Sequence, residues 1–107
     1  MTAMPLQAAP VLVVGAGIMG AGIAQVAAQA GHPVMLFDVR PGAAAQAREK
    51  LVSTLQTLQA KGKLSADAVA QTVQRLAAVE RLQEAAQAQL VVEAIVEQLD
   101  EIGRAHV

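Results

Sequence analysis

Three glycines near the start of the chain, Gly15, Gly17 and Gly20, have the spacing G-x-G-x-x-G. They follow four apolar residues, 11–14, that are typical of a buried strand, and they precede a helical pattern that runs to Ala30. In such a turn the first glycine permits the tight bend, the second lets the backbone approach a pyrophosphate, and the third lets the helix pack closely on the strand. The N-terminus of the helix offers N–H groups and a positive dipole end to phosphates. The residues predicted to hold a dinucleotide pyrophosphate are Gly15, Ala16, Gly17, Ile18, Met19 and Gly20.

An acidic residue completes this pattern. A second apolar run, 34–37, ends at Asp38, eighteen residues after Gly20. A carboxylate at that position accepts hydrogen bonds from the adenosine ribose hydroxyls, and its charge repels the 2′-phosphate of NADP. Asp38 therefore favours NAD as the cofactor, and Arg40 is the one residue that argues for NADP. The structural alternative is a glycine-rich turn that only packs, but the coincidence of two strands, a helix and the acid favours the nucleotide site.

The composition limits the class of protein. The 107 residues suffice for one small domain, whose core must be aliphatic because 54% of the residues are hydrophobic and Phe37 is the only aromatic one. The net charge is −1, and without a basic cluster we expect no nucleic-acid partner. The absence of cysteine excludes a disulfide framework, and a cytoplasmic location is the default. The apolar run 11–24 is shorter than the about 20 residues of a membrane span, and no export signal is expected because residues 1–10 lack Lys and Arg.

The remaining patterns alternate between helix and strand. Periodic apolar residues predict a helix from Pro41 to Ala60 that ends at Lys61-Gly62-Lys63. Ser65 is a suitable N-cap for a further helix. We expect Val69, Val73 and Leu76 on one apolar face of that helix. The residues expected to face outward are Gln71, Gln74 and Arg75.

Three shorter segments complete the expected fold. Residues 77–79 are predicted as a third strand, 82–86 as a helical turn, and 90–92 with 94–96 as a buried strand and its exit. The alternation predicts an α/β fold with a parallel, Rossmann-type sheet in which the first strand lies beside the fourth. The cofactor would then cross the strand ends at Gly15 and near Glu93. His32 lies in a Gly-His-Pro turn and is assigned no catalytic role.

Three stretches, GAGIMGAGIAQVAAQAGHPVMLFD, KGKLS and LVVEAIVEQLD, together resemble the N-terminal domain of the 3-hydroxyacyl-CoA dehydrogenases over about residues 10–100. The resemblance implies an oxidoreductase that uses NAD to oxidise (S)-3-hydroxyacyl-CoA to 3-oxoacyl-CoA, as in fatty acid β-oxidation, and that is a homodimer at full length. It also implies that Asp38 binds the adenosine ribose and that Glu97 contacts NAD near the nicotinamide ribose. Thr54 and Lys61 match positions that contact the CoA part of the substrate. Glu93 fits a cofactor role and a structural or solvent-facing role equally well.

The end of the sequence departs from the family. Residues 101–107 resemble no part of it, and Ile102 stands where the family has a cofactor-contacting lysine. The resemblance also implies that the catalytic His–Glu pair, the remaining strands and a helical domain follow downstream. We therefore expect an incomplete NAD-binding domain over 1–100, a non-native tail over 101–107, no catalytic residue and no activity for this fragment. The alternative is a stand-alone dinucleotide-binding or sensing module without catalysis.

Overall fold

A computed structural model describes residues 9–94 of the chain. Its four strands form one parallel sheet, and three α-helices and a short 3₁₀ helix (Leu82–Ala85) connect them. The strands are β1 (Val11–Val14), β2 (Val34–Phe37), β3 (Leu76–Ala78) and β4 (Leu90–Glu93), and the helices are α1 (Ile18–Gln29), α2 (Ala43–Ala60) and α3 (Ala66–Arg75). The strand order is β3-β2-β1-β4, which confirms the Rossmann-type α/β fold and the position of the first strand beside the fourth. Within residues 9–94, no helix has both the length and the apolar character to cross a membrane.

The strand register brings the carboxyl ends of β1, β2 and β4 to one level. Val14 is paired with Phe37 on one side and with Glu93 on the other. Just beyond the strands, the Gly15 N–H donates to the Phe37 carbonyl oxygen and the Ala94 N–H donates to the Val14 carbonyl oxygen, both at 2.8 Å. Strand order changes direction at β1, and in open α/β sheets ligands bind in the crevice at such a point.

The core is aliphatic, as the composition predicts. Its largest fully buried side chains belong to the sheet and to α2: Val13, Val34, Leu36 and Leu55. α1 packs with small residues, since Ala24 and Ala28 are buried and allow a close approach of the helix to the sheet. Val26, on the larger apolar stripe of α1, is 69% exposed, because among residues 9–94 no element covers that side of the helix.

The helix ends agree closely with the sequence signals. Gly17 and Ala30 cap α1, and α3 begins after Ser65, whose Oγ accepts a hydrogen bond from the Ala68 N–H at 3.1 Å. α2 ends as predicted, with the Lys63 N–H donating to the Leu58 carbonyl oxygen at 2.9 Å. Its start differs, because α2 begins at Ala43 and not at Pro41. The intervening Gly42 has a left-handed backbone that the helix cannot include.

Three expectations on the second half of the described chain were wrong. Leu76 is the first residue of β3, so the strand begins one residue early and Leu76 is not on the face of α3. Arg75 does not face solvent, since its Nη1 donates to the Ala28 carbonyl oxygen at 3.0 Å. β4 is not buried: Leu90 and Val91 are more than half exposed, because β4 is an outer strand of the described sheet.

Candidate dinucleotide-binding site

The expected tight turn is present at the end of β1. Gly15 has a φ of +103°, a conformation that side-chain-bearing residues rarely adopt. A Cβ atom at this position would also lie 2.5 Å from the Ala94 carbonyl oxygen, which belongs to the chain leaving β4. Both the backbone conformation and the close approach therefore require glycine here.

The first turn of α1 packs directly on this bend. Gly20 is buried, and a Cβ atom there would overlap the carbonyl oxygen of Gly15 and approach the Cβ of Ala94. This is the close helix–strand packing predicted for the third glycine. The sequence pattern predicts Ala94 only as part of a strand exit. The small size of Ala94 matters, because its carbonyl oxygen lies close to Gly15 and its Cβ atom lies close to Gly20.

The N-terminus of α1 is suited to bind phosphate. Gly17 is the N-cap, without a side-chain cap, and the first helical hydrogen bond joins the Ala21 N–H to the Gly17 carbonyl oxygen at 2.9 Å. The N–H groups of Ile18, Met19 and Gly20 therefore precede the helical ladder. No acidic side chain lies in this first turn to neutralise the positive end of the helix dipole. A pyrophosphate at this N-terminus would meet donors, a positive potential and no obstructing Cβ atom from Gly17.

Asp38 lies against the same turn. Its Oδ2 accepts a hydrogen bond from the Ala16 N–H at 2.7 Å, across a separation of 22 residues, and its side chain is only 5% exposed. The acid at the end of β2 and the turn at the end of β1 are therefore parts of one site. Sequence spacing predicted their proximity but not this direct bond.

Arg40 donates three hydrogen bonds to the Asp38 carboxylate. Its Nε donates to Oδ1 at 2.9 Å, its Nη2 donates to Oδ2 at 2.8 Å, and its backbone N–H donates to Oδ1 at 2.8 Å. The Arg40 guanidinium, aided by the Ala16 and Arg40 N–H groups, holds the pKa of Asp38 well below its usual range, although burial opposes the shift. Asp38 is thus ionised and already accepts four hydrogen bonds.

A cleft of about 440 Å³ lies beside the turn. Ala16, Gly17 and Ile18 line one side of it, and Arg40, Lys50 and Thr54 are among the residues of the other side. The structure thus brings Thr54 to the cleft of the glycine turn. Lys61 is exposed at the end of α2 and does not line this cleft.

The other candidate residues lie elsewhere. Glu93 is exposed at the end of β4, in register with Val14, and Glu97 lies outside the described residues. His32 lies at the amino end of β2, the sheet edge opposite the turn, where its Nδ1 is 2.9 Å from the Ala9 carbonyl oxygen. Among residues 9–94 no group of three metal-binding side chains comes together.

Comparison with known proteins agrees with this geometry. Residues 10–101 match the model of the family described as 3-hydroxyacyl-CoA dehydrogenase, NAD binding domain. The chain is 39% identical over 97 residues to the 3-hydroxyadipyl-CoA dehydrogenase of Escherichia coli K12, covering 91% of this chain and 20% of that protein. It is 40% identical over 89 residues to a probable 3-hydroxybutyryl-CoA dehydrogenase of Bacillus subtilis, covering 83% of this chain and 31% of that protein. The chain therefore spans about a fifth to a third of the length of these relatives.

Solved structures show the same similarity. The crystal structure of 3-hydroxybutyryl-CoA dehydrogenase from Escherichia coli K12 matches with a TM-score of 0.76 and 40% identity, over 80% of this chain and 18% of that chain. The (S)-3-hydroxybutyryl-CoA dehydrogenase of Ralstonia eutropha matches with a TM-score of 0.73 and 32% identity, over 79% of this chain and 30% of that chain. The family match implies NAD as the cofactor. On these grounds the chain belongs to the 3-hydroxyacyl-CoA dehydrogenase family and represents its NAD-binding domain.

Proposed function

We propose that this chain is the NAD-binding part of an enzyme that oxidises (S)-3-hydroxyacyl-CoA to 3-oxoacyl-CoA. The observation that carries the proposal is the convergence of the glycine turn, the α1 N-terminus and Asp38 at one sheet edge, joined by the Ala16–Asp38 hydrogen bond of 2.7 Å. NAD, when bound, supplies the nicotinamide carbon that accepts a hydride from carbon 3 of the hydroxyacyl group. The residues of this chain bind and orient the cofactor: the first-turn amides hold its phosphates, and Asp38 holds the adenosine ribose.

Other contacts follow from the family resemblance. Glu97 would contact NAD near the nicotinamide ribose. Thr54 and Lys61 would contact the CoA part of the substrate. Lys61, the C-cap of α2, follows Thr54 by seven positions, about two helical turns, so the two lie on the same side of the helix, and Thr54 lines the cleft beside the glycine turn. The positive charge of Lys61 suits a phosphate of CoA.

Titration with NADH tests the cofactor site directly. We expect the chain to bind NADH, with enhanced nicotinamide fluorescence, and Asp38→Ala to weaken binding about tenfold or more, since hydrogen bonds to a charged group are lost. Lys63→Ala removes one charge beyond the far end of the 18-residue helix α2 and should leave the affinity unchanged. A folded chain that fails to bind NADH would contradict the proposed function.

Activity distinguishes the enzyme from a sensing module. We expect the longest product of the gene to reduce acetoacetyl-CoA with NADH, and the 107-residue chain alone to be inactive, because by resemblance the catalytic His–Glu pair lies downstream. Lys61→Ala in the active product should raise the KM for acyl-CoA and leave the affinity for NADH unchanged. If the longest product binds NADH but converts no acyl-CoA, the stand-alone binding or sensing module is the better description.

We further propose that the NAD-binding unit comprises residues 1–100 and that residues 101–107 are not native to it. The family match, which ends at residue 101, lies within one residue of this boundary and supports it. Sequencing independent genomic DNA across these codons tests it, and an intact gene that reads through all seven would refute it. A cytoplasmic location, a homodimer at full length and a role in β-oxidation complete the proposal. Cell fractionation, sedimentation and growth on fatty acids after gene deletion test these three properties.

A further inference from the structure

The ion pair between Asp38 and Arg40 bears on which dinucleotide the site selects. We propose that Arg40 is a specificity-determining residue: it competes with the ribose of NAD for Asp38 and turns to the 2′-phosphate of NADP, so that the pair allows NADP binding that Asp38 alone would prevent. This inference rests on the proposed dinucleotide function. It extends that function from the cofactor named by the family to a second one.

The hydrogen-bonding capacity of the Asp38 carboxylate is already filled. A carboxylate has about four acceptor sites, and the four donors of Ala16 and Arg40 occupy them. A ribose can therefore reach Asp38 only if a donor leaves. The two backbone N–H groups are fixed by the chain, whereas the Arg40 side chain is 55% exposed and loses little burial when it moves. The guanidinium is thus the partner that leaves.

The released guanidinium remains beside the cofactor cleft. Arg40 already lines the cleft that Ala16 and Gly17 border, so its side chain stays on the nucleotide side of the sheet edge. Only one residue separates it from Asp38, which keeps it within reach of the ribose 2′ position that Asp38 would hold. A guanidinium binds phosphate oxygens in a bidentate manner, which suits a 2′-phosphate.

The charge of Asp38 is balanced by its ion pair with Arg40. An isolated Asp38 would repel a 2′-phosphate, but the adjacent Arg40 cancels that charge. The charged residues that line the cleft, Arg40 and Lys50, are both positive. The charges around Asp38 therefore do not exclude the 2′-phosphate of NADP. An aspartate at this position without Arg40 would repel it.

Fluorescence titrations with NADH and NADPH test the proposal on the longest product of the gene. Arg40→Ala should lower the affinity for NADPH about tenfold or more, because a charge-assisted phosphate contact is lost. It should raise the affinity for NADH a few-fold, because Asp38 no longer has a competing partner. Arg40→Lys keeps the charge without the fork and should give an intermediate NADPH affinity. Lys63→Ala, a matched loss of one positive charge outside the cleft, should change neither affinity.

The outcomes separate this inference from the function on which it rests. If the unmodified protein binds NADH but the NADH-to-NADPH affinity ratio of both Arg40 variants stays within twofold of the ratio of the unmodified protein, the inference is wrong and the NAD site stands. Equal losses for both cofactors would also overturn it, since Arg40 would then act only in shaping the turn. A folded protein that binds neither cofactor would overturn both the inference and the proposed function. Circular dichroism of each variant establishes folding.

Discussion

Gly20 and Gly22 lie two residues apart in α1 and differ in what an added methyl group would meet. At Gly20 the Cβ would overlap the Gly15 carbonyl oxygen, whereas at Gly22 nothing lies within 4 Å. We expect Gly20→Ala to lower the free energy of unfolding by about 1–3 kcal/mol and to abolish NADH binding, because α1 must move off the turn. Gly22→Ala should raise the free energy of unfolding by up to about 1 kcal/mol, because Ala has the higher helix propensity. Urea unfolding measures both, and equal effects would contradict the packing described here.

Asp38 should make the stability of the chain sensitive to acid. Arg40 keeps the pKa of Asp38 below its usual range in the folded state, so the unfolded chain takes up a proton at this carboxyl group at a higher pH than the folded chain. The stabilisation is therefore complete above about pH 5, since an unperturbed Asp titrates near pH 4, and it is lost progressively as the pH falls below that.

Asp38→Asn removes this dependence. We expect urea midpoints of the Asn variant to fall less between pH 7 and pH 3 than those of the unmodified chain. Glu49→Gln, an exposed change on α2, serves as the control and should keep the original slope. If Asp38→Asn leaves the pH slope unaltered, the Arg40 contact does not hold the carboxylate ionised.

At the scale of elements, two arginines donate to carbonyl oxygens at the carboxyl ends of helices that are distant from them in sequence. Arg48 of α2 donates from Nε to the Leu76 carbonyl oxygen at 2.7 Å and from Nη2 to the Val73 carbonyl oxygen at 3.3 Å. Arg75 donates to the Ala28 carbonyl oxygen near the end of α1. A positive group at a helix C-terminus opposes the negative end of the dipole, and here it adds a donor to carbonyl oxygens of Val73 and Ala28 that already accept a backbone N–H. These bonds connect α2 to the α3–β3 junction and α3 to α1.

Arg48→Met tests the first of these connections. The Met side chain retains most of the aliphatic stem but removes the charged donor from the Leu76 carbonyl oxygen, whereas the Val73 oxygen keeps the Leu76 N–H, so we expect a loss of about 1–3 kcal/mol in the free energy of unfolding. Arg81→Met, at an exposed arginine, should change stability by less than about 0.5 kcal/mol. Thermal and urea unfolding of both variants give the comparison. If Arg48→Met and Arg81→Met have the same free energy of unfolding, water replaces the Arg48 guanidinium at no cost.

These contacts also mark where sequence reasoning succeeds and where it ends. Helix periodicity, the Ser65 cap and the G-x-G-x-x-G turn are local signals, and the structure contains each of them. The Arg48 and Arg75 bonds span 28 and 47 residues, and no local pattern reports them. The burial of β4 was predicted wrongly for a related reason, because an apolar strand reads the same whether it is central or outer in the sheet.

At the scale of the whole molecule, one side of the described sheet carries an apolar groove of about 680 Å³ between α1 and β4. Ile23, Val26, Leu90 and Val92 are among its lining residues, and the exposed fractions of Val26 and Leu90 are 69% and 55%. Burial of such a surface against another chain is favourable in proportion to its apolar area. β4 is an outer strand of the described sheet, and its unpaired backbone N–H and C=O groups also favour pairing with another chain.

We therefore expect the 107-residue chain to self-associate through this groove, with a second copy as the occupant. Val26→Lys should shift the sedimentation profile toward monomer without lowering the free energy of unfolding by more than about 0.5 kcal/mol, because the replaced side chain is already largely exposed. Gln29→Lys adds the same charge to α1 outside the groove lining and is the matched control. Its profile should match that of the unmodified chain. If both lysine variants dissociate the chain equally, net charge rather than the groove governs association, and a chain that is monomeric at high concentration before any substitution would contradict the expectation outright.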